Sequence, residues 1–206
     1  MIKDKTVLVT GGSRGIGKAV VECMLKEGAK VAFTGRHADA GEETLAEMKK
    51  ISNDVIFIEA DVANEADVQR TIAETVDHFG RLDGAFNNAG IGEASGFLAD
   101  CSNDEFTRMF DINVRGVFLS MKYELQQFLK QGGGGSIVNC SSIQGHITIA
   151  GSGHYPATKH AVEGYTKMAA LEYADQQIRV NAVAPAVVAV GRLGAQAIPD
   201  DWQENM

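Results

Sequence analysis

The sequence predicts an α/β fold, a doubly wound parallel sheet with helices on both faces, and three observations carry that expectation. Six apolar runs of strand length recur along the chain, each separated from the next by a stretch long enough for a crossover helix. The runs are apolar almost throughout rather than alternating, as in Val7-Leu8-Val9, Ile56-Phe57-Ile58 and Ile137-Val138, so both faces of the sheet need cover. Several intervening stretches place apolar residues three and four apart, with Val68, Ile72, Val76 and Phe79 forming one stripe.

The first strand spans Thr6–Thr10 and feeds a glycine-rich turn and a helix over Gly15–Lys26, which Gly28 ends. A second strand, Lys30–Thr34, leads to a helix over Ala38–Lys50. The third, Val55–Glu59, leads to the striped helix Glu65–Phe79, closed by Gly80. After the fourth strand, Leu82–Phe86, the run Ser102-Asn103-Asp104-Glu105 offers N-cap chemistry, and one long helix is expected over Asp104–Leu129. Gly132–Gly135 reads as a permissive helix exit rather than a phosphate cradle, because a cradle should follow a strand. The fifth strand, Ser136–Cys140, a helix over Tyr155–Ala174 and a sixth strand over Arg179–Val183 complete the series.

At 206 residues, 45% hydrophobic and 22% charged, the chain suits a single soluble domain over residues 1–206, with no linker or charge block dividing it. Lysine and arginine total 19 against 27 acidic residues, and the net charge of −8 argues against nucleic acid or an anionic membrane as a partner. Any anion must be bound locally. Cys23, Cys101 and Cys140 are widely spaced without a C-x-x-C pattern and read as reduced thiols, Cys140 as a buried small hydrophobe. The N-terminal residues Met1 to Lys5 lack a signal-peptide pattern, and no apolar run is long enough for a membrane span, so the cytoplasm is the expected location. No H-E-x-x-H or comparable spacing suggests a metal.

The chemistry concentrates at three places. At the first strand–helix junction stand Gly11, Gly12, Ser13, Arg14, Gly15, Ile16 and Gly17, where glycines let backbone N–H groups approach a pyrophosphate at a positive helix end. The spacing, Gly11-x-x-x-Gly15-x-Gly17, departs from G-x-G-x-x-G. At the end of the second strand, where an acid would bond a ribose 2′-hydroxyl, the sequence is Phe33-Thr34-Gly35-Arg36. Arg36 together with Arg14 could instead pair with a 2′-phosphate, which favours NADP over NAD. The third place is Ser142, just past the fifth strand, with Tyr155 and Lys159 four apart on one helix face. An ammonium beside the phenol is expected to lower its pKa and make Tyr155 a general acid–base. His146 and His154 flank these residues and, as loop histidines, are expected to face solvent.

Together these segments resemble the short-chain dehydrogenase/reductase family. The resemblance rests on Thr10-Gly11-x-x-x-Gly15-Ile16-Gly17, Asp61-Val62, Asn87-Asn88-Ala89-Gly90, Asn113-Val114-x-Gly116, Ser141-Ser142 and Tyr155-x-x-x-Lys159, in the family's order and spacing over residues 5–185. It implies a Rossmann-like sheet of strand order 3-2-1-4-5-6 and a nicotinamide-dependent interconversion of a secondary alcohol and a ketone. Tyr155 would exchange a proton with the substrate oxygen, Ser142 would hold that oxygen, and Lys159 would lower the tyrosine pKa while bonding the nicotinamide ribose. Asn113 would support a water in a proton relay. Asp61 and Val62 would flank the adenine, and Asn87, Ala89 and Gly90 would line the adenosine side. Pro185 is counted with the cofactor residues. Ser142 is preferred to Ser141 because its separation from Tyr155 matches the family.

The end of the chain departs from the pattern. Where the family has Pro-Gly and a threonine before a substrate lid and a seventh strand, this sequence has Pro185-Ala186-Val187-Val188-Ala189-Val190-Gly191 and ends at Met206. A lid and a seventh strand are therefore not expected, residues 187–206 form an atypical tail, and the sixth strand becomes a sheet edge of reduced stability. A homodimer is favoured over a tetramer, because the helices that pair in the family are present while the second interface is not. An alternative function is cofactor binding with little or no catalysis. The substrate is expected to be a small alcohol or ketone; a polyol, a cyclic alcohol or steroid and a β-ketoacyl thioester all stay open.

Overall fold

The computed structural model describes residues 2–92, 96–186 and 188, and the residue 187–206 tail lies outside these apart from Val188. Six parallel strands, β1 (Thr6–Thr10), β2 (Lys30–Gly35), β3 (Val55–Glu59), β4 (Gly84–Asn87), β5 (Gly135–Cys140) and β6 (Ile178–Val183), form one sheet in the order β3-β2-β1-β4-β5-β6. The helices are α1 (Gly15–Lys26), α2 (Ala38–Met48), α3 (Glu65–Phe79), α4 (Asn103–Phe110), α5 (Gly116–Gln131) and α6 (Tyr155–Glu172). This is the doubly wound Rossmann-like arrangement, and among the described residues β6 is one edge of the sheet.

The core divides into two layers because side chains alternate across a strand even where every residue is apolar. Val7, Val9, Val31 and Phe33 pack with Val21 and Leu25 of α1 and Met48 of α2. Leu8, Ala32, Ile58 and Ile137 point the other way, onto Ile72 of α3, Val117, Met121 and Phe128 of α5 and Val162 of α6. One strand end is set by tertiary bonds that apolarity does not reveal. Leu82 is fully buried, yet its N–H donates to Gln131 Oε1 and its carbonyl accepts from Gln131 Nε2, so β4 starts at Gly84 rather than Leu82.

Helix ends follow the expected chemistry. Gly28 and Gly80 adopt φ of 80° and 86°, Ser102 and Glu105 form a reciprocal capping box, and Asn64 accepts from the N–H groups of Ala66 and Asp67. Gly132, Gly133 and Gly134 all take positive φ and carry α5 into β5. The single helix expected over Asp104–Leu129 is interrupted. Residues Asp111–Arg115 form a π turn, in which the Gly116 N–H donates to the Asp111 carbonyl. A π turn inserts one extra residue locally while the helix continues on both sides, and no residue type in the sequence marks it. No helix among the described residues is long and apolar enough to cross a membrane.

Candidate active site

The C-terminal edge of the sheet gathers the functional side chains, because β1, β2, β3, β4 and β5 all deliver their following loops there. The glycine turn after β1 is held from β4. Thr10 Oγ1 accepts from the N–H groups of Asn88 (3.0 Å) and Ala89 (3.2 Å), and Asn88 Nδ2 donates to the carbonyls of Thr10 (3.2 Å) and Gly11 (3.0 Å). Gly11 and Gly15 take φ of 67° and 56°. A Cβ on Gly17 would lie 2.2 Å from the Gly11 carbonyl oxygen, and one on Gly11 would lie 2.9 Å from Ala89 Cα. Glycine is therefore required by close backbone approach as well as by φ. Gly17→Ala is expected to weaken dinucleotide binding at least about tenfold and to lower the melting temperature, measured by titration and thermal unfolding.

The Gly loop leaves the start of α1 open. Its N-cap residue, Arg14, is extended and makes no side-chain cap, so first-turn N–H groups face outward as an anion site requires. Ser13 is tied to α2 by its carbonyl, which accepts from Thr44 Oγ1 at 2.9 Å. The side chain of Ile16 packs partly against the core. Beyond the loop, a cleft of about 570 Å³ opens between the ends of β2 and β3, lined by Arg36, His37, Glu59, Asp61, Asp67 and Arg70. Arg36 is exposed and, among the described residues, forms no ion pair. Arg14, paired with it in the sequence reading, stands at the glycine loop and is not part of this lining.

Asp61 Oδ1 accepts from the Ala63 N–H at 2.9 Å, and the Asp61 N–H donates to Asp67 Oδ2 at 3.0 Å. Val62 is buried against Gly116, whose added Cβ would lie 2.8 Å from Val62 Cγ2, so its side chain serves packing. Asn87 likewise departs from the expected lining role. Its side chain points into the core, where Nδ2 donates to Glu124 Oε2 (3.0 Å) and to Asn139 Oδ1 (3.1 Å). Strand alternation sends Asn87 inward and Asn88 outward, so Asn88 is the residue that holds the glycine turn. Burial pushes the Glu124 carboxyl up to about 8, against the weaker pull of the Asn87 amide.

The second half of the site assembles on β5 and α6. The Ser142 side chain lies within reach of the Tyr155 hydroxyl and opposes the effect of burial on it, and Ser142 Oγ accepts from the Gln144 N–H at 3.2 Å. Ser141 is turned away, its Oγ lying against Gly145 without a partner. Lys159 is buried, its Nζ donating to the Cys140 carbonyl at 2.8 Å and standing 5.5 Å from the Tyr155 ring centroid. Gly90 sits between Lys159 and Asn113: a Cβ there would lie 3.2 Å from Asn113 Oδ1 and 3.8 Å from Lys159 Nζ. Gly92 leaves the Tyr155 ring open, with its own added Cβ 3.4 Å away.

Asn113, in the π turn, is 1% exposed and its amide makes three hydrogen bonds. Oδ1 accepts from the Ile91 N–H (2.8 Å), while Nδ2 donates to the Ile91 carbonyl (2.8 Å) and to Thr158 Oγ1 (3.2 Å). It thereby fastens the loop after β4 to α6. Pro185 closes the edge, its carbonyl accepting from the Ile143 N–H at 2.9 Å.

Two expectations are corrected. The phenol of Tyr155 is pushed up, not down: burial disfavours the phenolate and outweighs the opposing bond from Ser142, while Lys159 is itself pushed down by burial and turned to the Cys140 carbonyl. His154 is half-buried rather than solvent-facing, its ring edge-on to Phe106 at 5.1 Å, whereas His146 is 55% exposed with Nε2 3.5 Å from Glu163. Cys140 is buried in the apolar layer beside α1, and burial pushes its thiol up.

Comparison with known proteins agrees with this arrangement. The short chain dehydrogenase family profile matches residues 5–199. A 2,5-dichloro-2,5-cyclohexadiene-1,4-diol dehydrogenase of Sphingobium indicum is 42% identical over 187 residues, covering 91% of this chain and 74% of that one. An NADP-dependent (R)-specific alcohol dehydrogenase of Lentilactobacillus kefiri is 38% identical over 190 residues, covering 91% and 74%. The crystal structure of levodione reductase superposes with a TM-score of 0.88 at 36% identity, over 92% of this chain and 74% of that one.

Proposed function

Because the chain belongs to the short-chain dehydrogenase family and is an NAD(P)-dependent oxidoreductase of that family, we propose that it interconverts a neutral secondary alcohol and its ketone with a preference for NADP, using Tyr155 as the general acid–base. The observation that carries the reading is the set gathered at the sheet edge: Ser142 beside Tyr155, Lys159 buried one helical turn on with Nζ 5.5 Å from the Tyr155 ring centroid, and Asn113 locking the facing loop. The residues fit a dinucleotide. Gly11 and Gly17 keep the β1–α1 turn clear where any Cβ would strike backbone, and at the cleft Arg36 offers a guanidinium that has no ion pair among the described residues. When bound, the nicotinamide group gives or takes the hydride at the carbinol carbon.

The protein's own part is to bind, orient and move a proton. In reduction, neutral Tyr155 donates its hydroxyl proton to the carbonyl oxygen as negative charge grows there, and in oxidation the phenolate accepts it back. Ser142 hydrogen-bonds the same oxygen and fixes its distance from Tyr155. Lys159, poised between the Cys140 carbonyl and the Tyr155 ring, stabilises the phenolate electrostatically once the site is filled and closed to water. With its phenol pushed up by burial, Tyr155 carries its proton at neutral pH, the form that reduction requires.

A neutral, cyclic substrate is favoured over an anionic thioester. The loops over 91–102 and 143–154 contain no lysine or arginine, and they expose Phe97, Leu98, Ile147 and Ile149. These loops are joined by the Gly96 N–H, which donates to the Gly151 carbonyl at 3.3 Å. The similarity to a cyclohexadienediol dehydrogenase supports the same class. A dimer is supported by the exposed face of α5 and α6, where Phe118 stacks on Tyr165 beside Met168 and Leu171; light scattering that gave a monomer or a tetramer would contradict it.

The functional reading is tested by nicotinamide absorbance on adding a neutral cyclic ketone. Oxidation of NADPH at least about tenfold faster than of NADH is expected, and Arg36→Asp should reverse the order by placing a carboxylate where the phosphate would bind. A chain that binds NADPH yet oxidises neither coenzyme with any neutral ketone would favour binding without catalysis.

A further inference from the structure

We propose that Arg70 is a specificity-determining residue of the dinucleotide site, balancing the carboxylates of the cleft between β2 and β3 so that a 2′-phosphate is accepted there. The inference rests on the reading of that cleft as the adenosine end of an NADP site. Its wall carries three carboxylates, on Glu59, Asp61 and Asp67, against the guanidiniums of Arg36 and Arg70. If Arg36 were the only cation present, an anion entering the cleft would meet a negative surround, and the repulsion would offset much of what one guanidinium supplies.

Arg70 is fixed in that wall. Its Nη2 donates to the Glu59 carbonyl at 2.7 Å and to Asp67 Oδ1 at 3.1 Å, while Nη1 donates to Glu74 Oε1 at 3.1 Å. A planar fork bonded to one strand and two helix positions at once is held in place where a lone surface arginine is not. Asp67 in turn accepts the Asp61 N–H at 3.0 Å, so the same pair holds the turn that carries Asp61 and Val62. The Arg70 side chain is 44% exposed, and ion pairs in that setting contribute little to folding. The charge is better placed to act on a bound anion than on the stability of the fold.

The test is a fluorescence titration of the full chain with NADPH and with NADH, for wild type, Arg70→Gln and Arg70→Lys. Arg70→Gln is expected to lower the ratio of NADPH to NADH affinity about tenfold, and Arg70→Lys, which keeps the charge, to retain most of the ratio. An unchanged ratio, or equal weakening of both coenzymes, would assign Arg70 a purely structural role and overturn the proposal. Failure of Arg70→Lys to rescue the ratio would overturn it too. Wild type binding neither coenzyme while folded would instead overturn the reading of the cleft, and this inference with it.

Discussion

Tyr155→Phe is expected to lower kcat/KM for ketone reduction by about 10²- to 10⁴-fold while leaving NADPH affinity within about threefold, because the substitution deletes the proton donor and little else. The phenylalanine ring keeps the place beside Gly92 and over Lys159, so no cavity opens. Steady-state kinetics beside a binding titration separates the two effects. Loss of binding in parallel with activity would mean that Tyr155 is needed to shape the cofactor site, and activity unaltered by the change would remove Tyr155 from the chemistry. The upward shift of Tyr155 adds a sign to the same experiment. The oxidative direction, which needs the phenolate, should rise with pH through the alkaline range, whereas reduction should fall there.

Glu124→Gln is expected to stabilise the protein near neutral pH. Glu124 is fully buried on α5, bonded to Asn87 of β4, which bonds Asn139 of β5, which in turn donates to Thr166 of α6. The carboxyl is thus bonded to the Asn87 amide, and among the described residues no cation pairs with it. Burial raises its pKa from 4.5 to about 8, so between those values the folded state keeps a proton that the unfolded state releases. Stability from this group is therefore greatest below the unfolded pKa, falls as pH rises towards 8, and then levels off. At pH 7 the cost is about 3 kcal/mol, and a glutamine of the same shape does not incur it. Denaturant unfolding from pH 5 to 9 should show wild-type stability falling and the variant flatter, with the two converging in acid. Equal slopes for the two proteins would show that this carboxyl does not titrate in that window. The network also joins four elements that carry the site, so its packing bears on the alignment of Asn88, Ser142 and Lys159.

The fold was largely legible because parallel sheets buried on both faces write themselves as unbroken apolar runs, and β1, β3, α1 and α3 have the ends expected from those runs and their glycines. What periodicity could not show is tertiary in origin. The π turn depends on where the Asn113 amide finds partners, and the late start of β4 depends on Gln131 from a distant helix. The catalytic set was readable as types at fixed spacing, but its electrostatics were not. Spacing places Lys159 one turn from Tyr155, yet only coordinates show the ammonium turned to the Cys140 carbonyl and burial governing the phenol. Asn88 could have been found, since alternation at the end of β4 must send one of two adjacent asparagines outward. Arg70 could not, because nothing in the order of residues announces that the first turns of α3 return to the end of β3.

The most direct test of the central claim is a fluorescence titration of the purified 206-residue chain with NADPH and, in parallel, NADH. The account predicts NADPH binding at about micromolar concentration and NADH at least about tenfold weaker, because the glycine turn is clear and Arg36 lines the cleft. Tighter binding of NADH, or binding of neither coenzyme by a chain shown to be folded, would contradict it.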